Sequence, residues 1–141
     1  MMTAEAKGIA VIYVWTALLG AMVRVAFNCL WFAPFTFRNT WISAARYSSQ
    51  DLKQTFWRSF FWMVILSLMM SAFLVGMISA LGKTSWLSGL AAAGLLWIGI
   101  VMPTQLSELV WNKKNTTLCL LDAGSDFTSF LGMGVVIGVV L

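Results

Sequence analysis

The sequence predicts an all-α integral membrane protein, four transmembrane helices in an up-down bundle with both termini on the same side. Three observations predict it. Hydrophobic residues are 60% of the 141 and charged residues 10%, against about 25% charged in an ordinary soluble domain. The mean hydropathy is +0.87. The apolar residues also gather into four stretches, each near the roughly 20 helical residues that cross a hydrocarbon core. This length holds one four-helix transmembrane domain, 1–141, and little else.

The formal charge of +4 and the pI of 9.4 suit anionic phospholipids better than nucleic acid. There is no His and no CxxC, so a zinc or di-iron site has almost nothing to ligate it. No metal and no cofactor are expected. Cys29 and Cys119 fall in predicted spans and read as small apolar core residues. The segment 1–7 is polar, contains Glu5 and has neither a basic n-region nor a cleavage motif, so no cleavable targeting segment is expected.

The first span covers about 8–32. Thr16, Gly20, Arg24 and Asn28 recur every fourth residue, forming one small or polar stripe along a helix. Lipid offers that stripe no hydrogen bonds, so it is expected to face protein. Pro34 ends the helix, because its ring and missing N–H break the ladder. The connection 33–56 mixes charged and aromatic residues, as expected of an interfacial loop. The second span is about 59–81, although Gln50-Asp51-Leu52-Lys53 offers an earlier helix start, and Ser67 and Ser71 lie one turn apart in it.

A tight turn at Gly82-Lys83-Thr84 leads to the third span, about 85–110. Its small run Gly89-Leu90-Ala91-Ala92-Ala93-Gly94 allows close helix approach. Pro103 should kink it, with Gln105 and Glu108 on the last turns. Thr116 or Thr117 is the expected N-cap of the fourth span, about 118–141. Starting that span after Asp126 would leave roughly 22 Å of helix, so Asp122 and Asp126 lie inside it on one face. Gly134 and Gly138 form a GxxxG pair, read first as packing within the chain rather than as a dimer contact. Most of the Trp residues lie near span ends as an aromatic belt, while Trp15 and Trp97 are deeper and expected between helices.

Arg24 lies roughly 15 Å from the Pro34 end of its helix and Asp126 roughly 12 Å from the same side. Glu108 and Asp122 are shallower on that side. A pair between Arg24 and Asp126 is therefore expected, with Asp122 as a second acceptor. Left alone at mid-span, either charge costs about 2.5–3.5 kcal/mol. Three readings of this buried cluster, Arg24, Glu108, Asp122 and Asp126, stay open: fixing helix register, forming an ion or proton path or a ligand counter-charge, or taking a counter-charge from a partner. Arg38, Trp41, Arg46, Arg58, Trp111, Lys113 and Lys114 are the expected lipid-headgroup contacts. Six Lys and Arg fall in the first and third connections against two on the other side. Loops 33–58 and 111–117 are thus expected on the cytosolic or matrix side.

Some of these residues carry a resemblance. Trp31-Phe32-Ala33-Pro34-Phe35-Thr36-Phe37, with Trp41 following, resembles a signature of a family of small four-span proteins known as domain of unknown function seventeen sixty-one. That signature is Trp-Tyr-x-Pro-Leu-x-Phe-Gly and a further Trp. Trp97-Ile98-Gly99 is similar to the family's third span, and Leu121-Asp122-Ala123-Gly124 to the start of its fourth. The chain departs from the pattern at Arg38, where the family tends to Gly, and at Glu108, where it tends to Asn. Ser125-Asp126 stands where the family tends to Tyr-His. The resemblance implies four helices and no activity.

Two functions follow as expectations. The first is a non-catalytic accessory or structural subunit of a larger membrane complex, such as a respiratory-chain or other energy-transducing assembly. Its partners are other integral membrane subunits and anionic phospholipids, and the mitochondrial inner membrane is favoured if the source is eukaryotic. The alternative is a small homo-oligomeric transporter or channel using the Arg24/Asp126 cluster. An enzyme is not expected, since no nucleophile–base pairing and no metal-ligand spacing is visible.

Overall fold

In the structure, a computed structural model that describes residues 1–82 and 84–141 and the backbone alone of Ser49, the chain is all-helical, with four helices long and apolar enough to span a membrane. Helix α1, Ala4–Trp31, begins before the apolar run because Thr3 caps it, its hydroxyl accepting from Ala6 N at 3.3 Å. Beyond its end, the Thr36 hydroxyl donates to the Leu30 and Trp31 carbonyls, each at 2.7 Å. The same carbonyls also accept backbone N–H groups, Leu30 O from Ala33 at 3.3 Å and Trp31 O from Phe37 at 3.2 Å, so the turn closes the helix end.

The connection expected as an interfacial loop contains a short helix, α2, Arg38–Ala45, closed by Arg46 in the left-handed region at φ 56°. Helix α3, Ser49–Ala80, starts ten residues ahead of the expected Ser59. The cause is a capping box: the Ser48 hydroxyl accepts from Asp51 N and the Asp51 carboxylate accepts from Ser48 N. At 1.5 Å per residue its 32 residues run roughly 48 Å. That exceeds a hydrocarbon core of about 30 Å, so its first turns extend beyond the apolar segment.

Among the residues of the predicted Gly82–Thr84 turn, Lys83 lies outside the described residues. The third span, Trp86–Trp111, is continuous. It runs as α4, Trp86–Leu96, a π turn at Trp97–Val101, and α5, Met102–Trp111. The ring of Pro103 would clash with the carbonyl four residues back, and it has no N–H to give. Widening the turn before it accommodates both faults, so the irregularity is a π turn within an unbroken span. Helix α6, Thr116–Val140, is capped by Asn115, whose Oδ1 accepts from Thr117 N at 2.8 Å. Asn115 takes the role expected of Thr116 or Thr117.

Helix α6 is central, packing antiparallel to α1 on one side and to α4 on the other, and α1 packs on α3. Small residues set these approaches. A Cβ on Gly89 would land on the Gly134 carbonyl, one on Gly138 on the Ser85 carbonyl, and one on Gly20 on the Ser71 hydroxyl. The GxxxG pair is thus used within the chain, against Gly89. Around it lies a dry core in which Leu74, Ile78, Met133 and Ile137 are fully buried.

Two expectations about burial are corrected. Trp15 is 63% exposed on an outward face rather than packed between helices, since it stands one residue off the buried Thr16 stripe, about 100° around the helix. Cys29, one residue past Asn28, is exposed for the same reason, whereas Cys119 is buried. Trp97 does pack inward, edge-on to Phe127 at 4.8 Å.

Candidate functional site

The predicted stripe of α1 is buried at every position, Thr16, Gly20, Arg24 and Asn28. It meets a matching face of α6, where Ser125 and Ser129 are also buried. Residues 122, 125, 126 and 129 follow the i, i+3, i+4, i+7 spacing of one helical face. In antiparallel register Arg24 reaches both Asp126 and Ser129. Its Nη2 donates to Asp126 Oδ1 at 2.8 Å and its Nη1 to Ser129 Oγ at 3.0 Å. The guanidinium carbon lies 5.2 Å from the Phe130 ring centroid, close enough for cation–π attraction. Arg24 is only 8% exposed, so these contacts replace its hydration.

The other Asp126 oxygen accepts from Gln105 Nε2 at 2.6 Å. Only the amide nitrogen can donate to a carboxylate, which fixes the Gln105 orientation and leaves its Oε1 buried without a partner. One turn toward the loops, Asp122 is engaged by two donors, Trp41 Nε1 at 3.3 Å and Lys114 Nζ at 2.7 Å. Lys114 also reaches Glu108 at 3.3 Å. Asn28 Oδ1 accepts from the Ser125 hydroxyl at 2.5 Å.

These groups border a cleft of about 270 Å³ between α1, α5 and α6, whose polar lining includes Asn28, Gln105, Glu108, Lys114, Asp122 and Ser125. Phe32, which meets Trp41 edge-on, and the Trp41–Tyr47 stack at 5.6 Å form an aromatic shoulder beside it. For Lys114, partial burial pushes the ammonium pKa down, but the hydrogen bonds and charges of Asp122 and Glu108 outweigh it, leaving it above its ordinary value. Among the described residues no three His, Cys, Asp or Glu side chains converge as metal ligands.

The structure therefore brings Arg24 and Asp126 into direct contact and places Glu108 and Asp122 a turn nearer the loops. Asp122 is not a second acceptor for Arg24; Lys114 and Trp41 hold it instead. Of the seven residues expected at lipid headgroups, Arg38, Arg46, Arg58, Trp111 and Lys113 are exposed. Lys114, in the 112–115 connection, and Trp41, in the middle of α2, turn toward the cleft instead, where both donate to Asp122. Gln105, Ser125 and Ser129 were not among the expected cluster. The Asp122, Ser125, Asp126, Ser129 spacing is the signal that finds the two serines. Deeper in the bundle Ser67 and Ser71 are fully buried, and neither hydroxyl has a partner among the described residues.

A family model described as a protein of unknown function (DUF1761) matches residues 15–138, from Trp15 on α1 to Gly138 on α6, and so takes in the charge cluster and reaches all four spans. No curated protein and no solved structure matches. The buried stripe, the Pro34 turn, the π turn near Gly99 and the Asp122 end of α6 all lie inside the matched region, and the chain belongs to this family of unknown function.

Proposed function

We propose that this multi-pass membrane protein is a non-catalytic accessory or structural subunit of a larger membrane assembly, with respiratory-chain or other energy-transducing complexes the favoured hosts. One observation carries the reading: Arg24, Asp126, Asp122, Glu108 and Lys114 satisfy one another within the chain. A site built for chemistry usually leaves a strained or unspent group, whereas ionic groups that close on themselves suit a device for fixing helix register. The outer faces of the spans are broadly apolar and suit lipid or the helices of neighbouring subunits. Arg38, Arg46, Arg58 and Lys113, with Trp111 nearby, would meet anionic phospholipids on the cytosolic or matrix side. Both termini then lie opposite, and a eukaryotic source favours the mitochondrial inner membrane.

The test is to extract the native protein in mild detergent and size the particle by native gel with mass spectrometry. Unrelated chains in fixed ratio support the reading, and a small particle of this chain alone refutes it. A second reading, a homo-oligomeric transporter or channel, is favoured by the cleft reaching the Asp126 neighbourhood. Liposomes loaded with the purified chain and with Asp126→Asn test it. Flux through the wild type that the variant abolishes supports transport.

A further inference from the structure

We infer that the accessory subunit proposed above docks through the outward face of α5, against a membrane-spanning helix of another subunit that presents hydrogen-bond donors and no carboxylate; this rests on that reading. The helices differ sharply in what they turn outward. Among the described residues, the exposed side chains of 9–30 on α1, 61–80 on α3, 86–100 in the third span and 118–140 on α6 carry no charge, amide or aliphatic hydroxyl. Lipid tails suit them. On α5, Thr104, Ser107, Glu108 and the following Asn112 are all exposed, at the i, i+3, i+4, i+8 spacing of one helical face. With Pro103 and Trp111 they line one open hollow on the outside of the bundle.

Most of this face lies below the headgroups. Trp111, 81% exposed, closes the span at the level where indoles gather. Counting back at 1.5 Å per residue, Ser107 lies roughly 6 Å deeper and Thr104 roughly 10 Å deeper. Hydrocarbon there gives polar groups no partner.

The groups on the face set what the partner must bring. The Thr104 hydroxyl spends its proton on the Ile100 carbonyl at 2.7 Å, so outward it can only accept. The Glu108 carboxylate also accepts, and its side chain is 49% exposed even with Lys114 beside it. Pro103 has no N–H, so one carbonyl of the π turn before it, that of Ile98 or Gly99, lacks its helical donor. Both of those residues are exposed. An acceptor-rich strip asks for a helix carrying Ser, Thr, Asn, Gln or a basic side chain, and the small Ser107 lets that helix come close. A second copy of the chain fits poorly. A two-fold axis along the membrane normal would set α5 beside its own twin and Glu108 against Glu108, like charges in a medium of low dielectric.

The test replaces Trp111 by the photo-crosslinker benzoylphenylalanine in the full-length chain in its native membrane. Trp57 on α3, 75% exposed, is replaced in the same way as the control. Mass spectrometry reads the joined peptides. Position 111 should join one apolar segment of an unrelated protein, with donor residues and no carboxylate on the joined face, and position 57 should not join it. Ser107→Leu fills the hollow, and Ser107 makes no hydrogen bond to the bundle among the described residues, so the melting temperature of the purified chain should hold. Recovery of the joined protein in mild detergent should fall roughly tenfold, about 1.4 kcal/mol. Thr104→Val keeps the shape and removes an acceptor, and should lower recovery by a smaller factor even where the leucine disturbs the fold. Crosslinks from position 111 to this chain itself identify a second copy and overturn the proposal. Crosslinks to lipid alone, or recovery unchanged in both variants, overturn it too. Unrelated chains that co-purify in fixed ratio but never join position 111 remove this face and leave the accessory reading standing, whereas a particle of this chain alone removes both.

Discussion

Replacing Arg24 and Asp126 by leucine, singly and together, separates their interaction from their separate costs. Asp126→Leu strands a guanidinium that is 8% exposed and leaves it Ser129 Oγ at 3.0 Å and the Phe130 face. Neither carries a negative charge, so the loss should be about 3–5 kcal/mol, the range for a broken buried pair. Arg24→Leu is milder, because Asp126 keeps the Gln105 amide at 2.6 Å and its side chain is 24% exposed. About 2–3 kcal/mol is expected, nearer the cost of one unsatisfied charged group. The double variant strands no charge. It loses the bonds to Gln105 and Ser129, about 1 kcal/mol each, and regains part of that through apolar packing, for a net loss of about 1–2 kcal/mol. Additivity would predict about 5–8 kcal/mol from the same singles. Reversible unfolding in mixed micelles, followed by tryptophan fluorescence, measures all three. A double variant as unstable as the sum, or either single within about 0.5 kcal/mol of wild type, refutes the ion pair as an energetic unit.

Three further outcomes are expected. Gly89→Ala, whose Cβ would land on the Gly134 carbonyl, should lose about 1–3 kcal/mol in the same unfolding assay, whereas Gly76→Ala, with nothing within 4 Å, should be neutral or gain about 0.5–1 kcal/mol. The raised pKa of Lys114 means that its stabilisation is complete below the unfolded-state value and disappears as pH rises through the higher folded-state value. Melting curves from neutral to strongly alkaline pH should therefore show a loss confined to the alkaline end, and Lys114→Met should lack that component; a Lys114-dependent step near neutrality contradicts the geometry. A membrane-permeant maleimide should label Cys29 and spare Cys119 until the protein is unfolded, and mass spectrometry of the labelled peptides reads the result.

The sequence is most legible where a cost is large and one-dimensional. Long apolar runs can do little but span lipid, and a charge within one must find its opposite at the same depth, which brings Arg24 to Asp126 from residue counting alone. Direction around a helix is harder to read. Trp15 and Cys29 each stand one position from a buried residue, and that single step of about 100° sends them to the outer face. Reach from a loop is harder still. Nothing in the composition of 112–115 distinguishes Lys113, exposed, from Lys114, which turns back to Asp122 and Glu108. The start of α3 depends on Ser48 and Asp51 trading hydrogen bonds, a local pattern that the hydropathy of the following span overshadows.

The two halves of the bundle divide the tasks of specifying and stabilising the fold. At the loop end, contact is polar and directional. Turning α6 by one residue would carry Asp126 away from Arg24 and Ser125 away from Asn28 together, so the ionic half selects one rotation of α6 against α1. At the other end contact is close and dry, with Gly89 against Gly134 and Gly138 and with Leu74, Ile78, Met133 and Ile137 filling the centre. That half supplies packing, the term that holds helices together where lipid removes the usual hydrophobic drive. Between them lie Ser67 and Ser71, fully buried and without partners among the described residues. A polar path entering at the cleft could follow Arg24 and these hydroxyls to mid-bundle, but beyond them it meets Thr16, whose hydroxyl is spent on the Ile12 carbonyl, and the apolar core. Conduction across the membrane would therefore have to run between copies of the chain or follow a rearrangement of the third span, whose π turn at Trp97–Val101 is its least regular stretch.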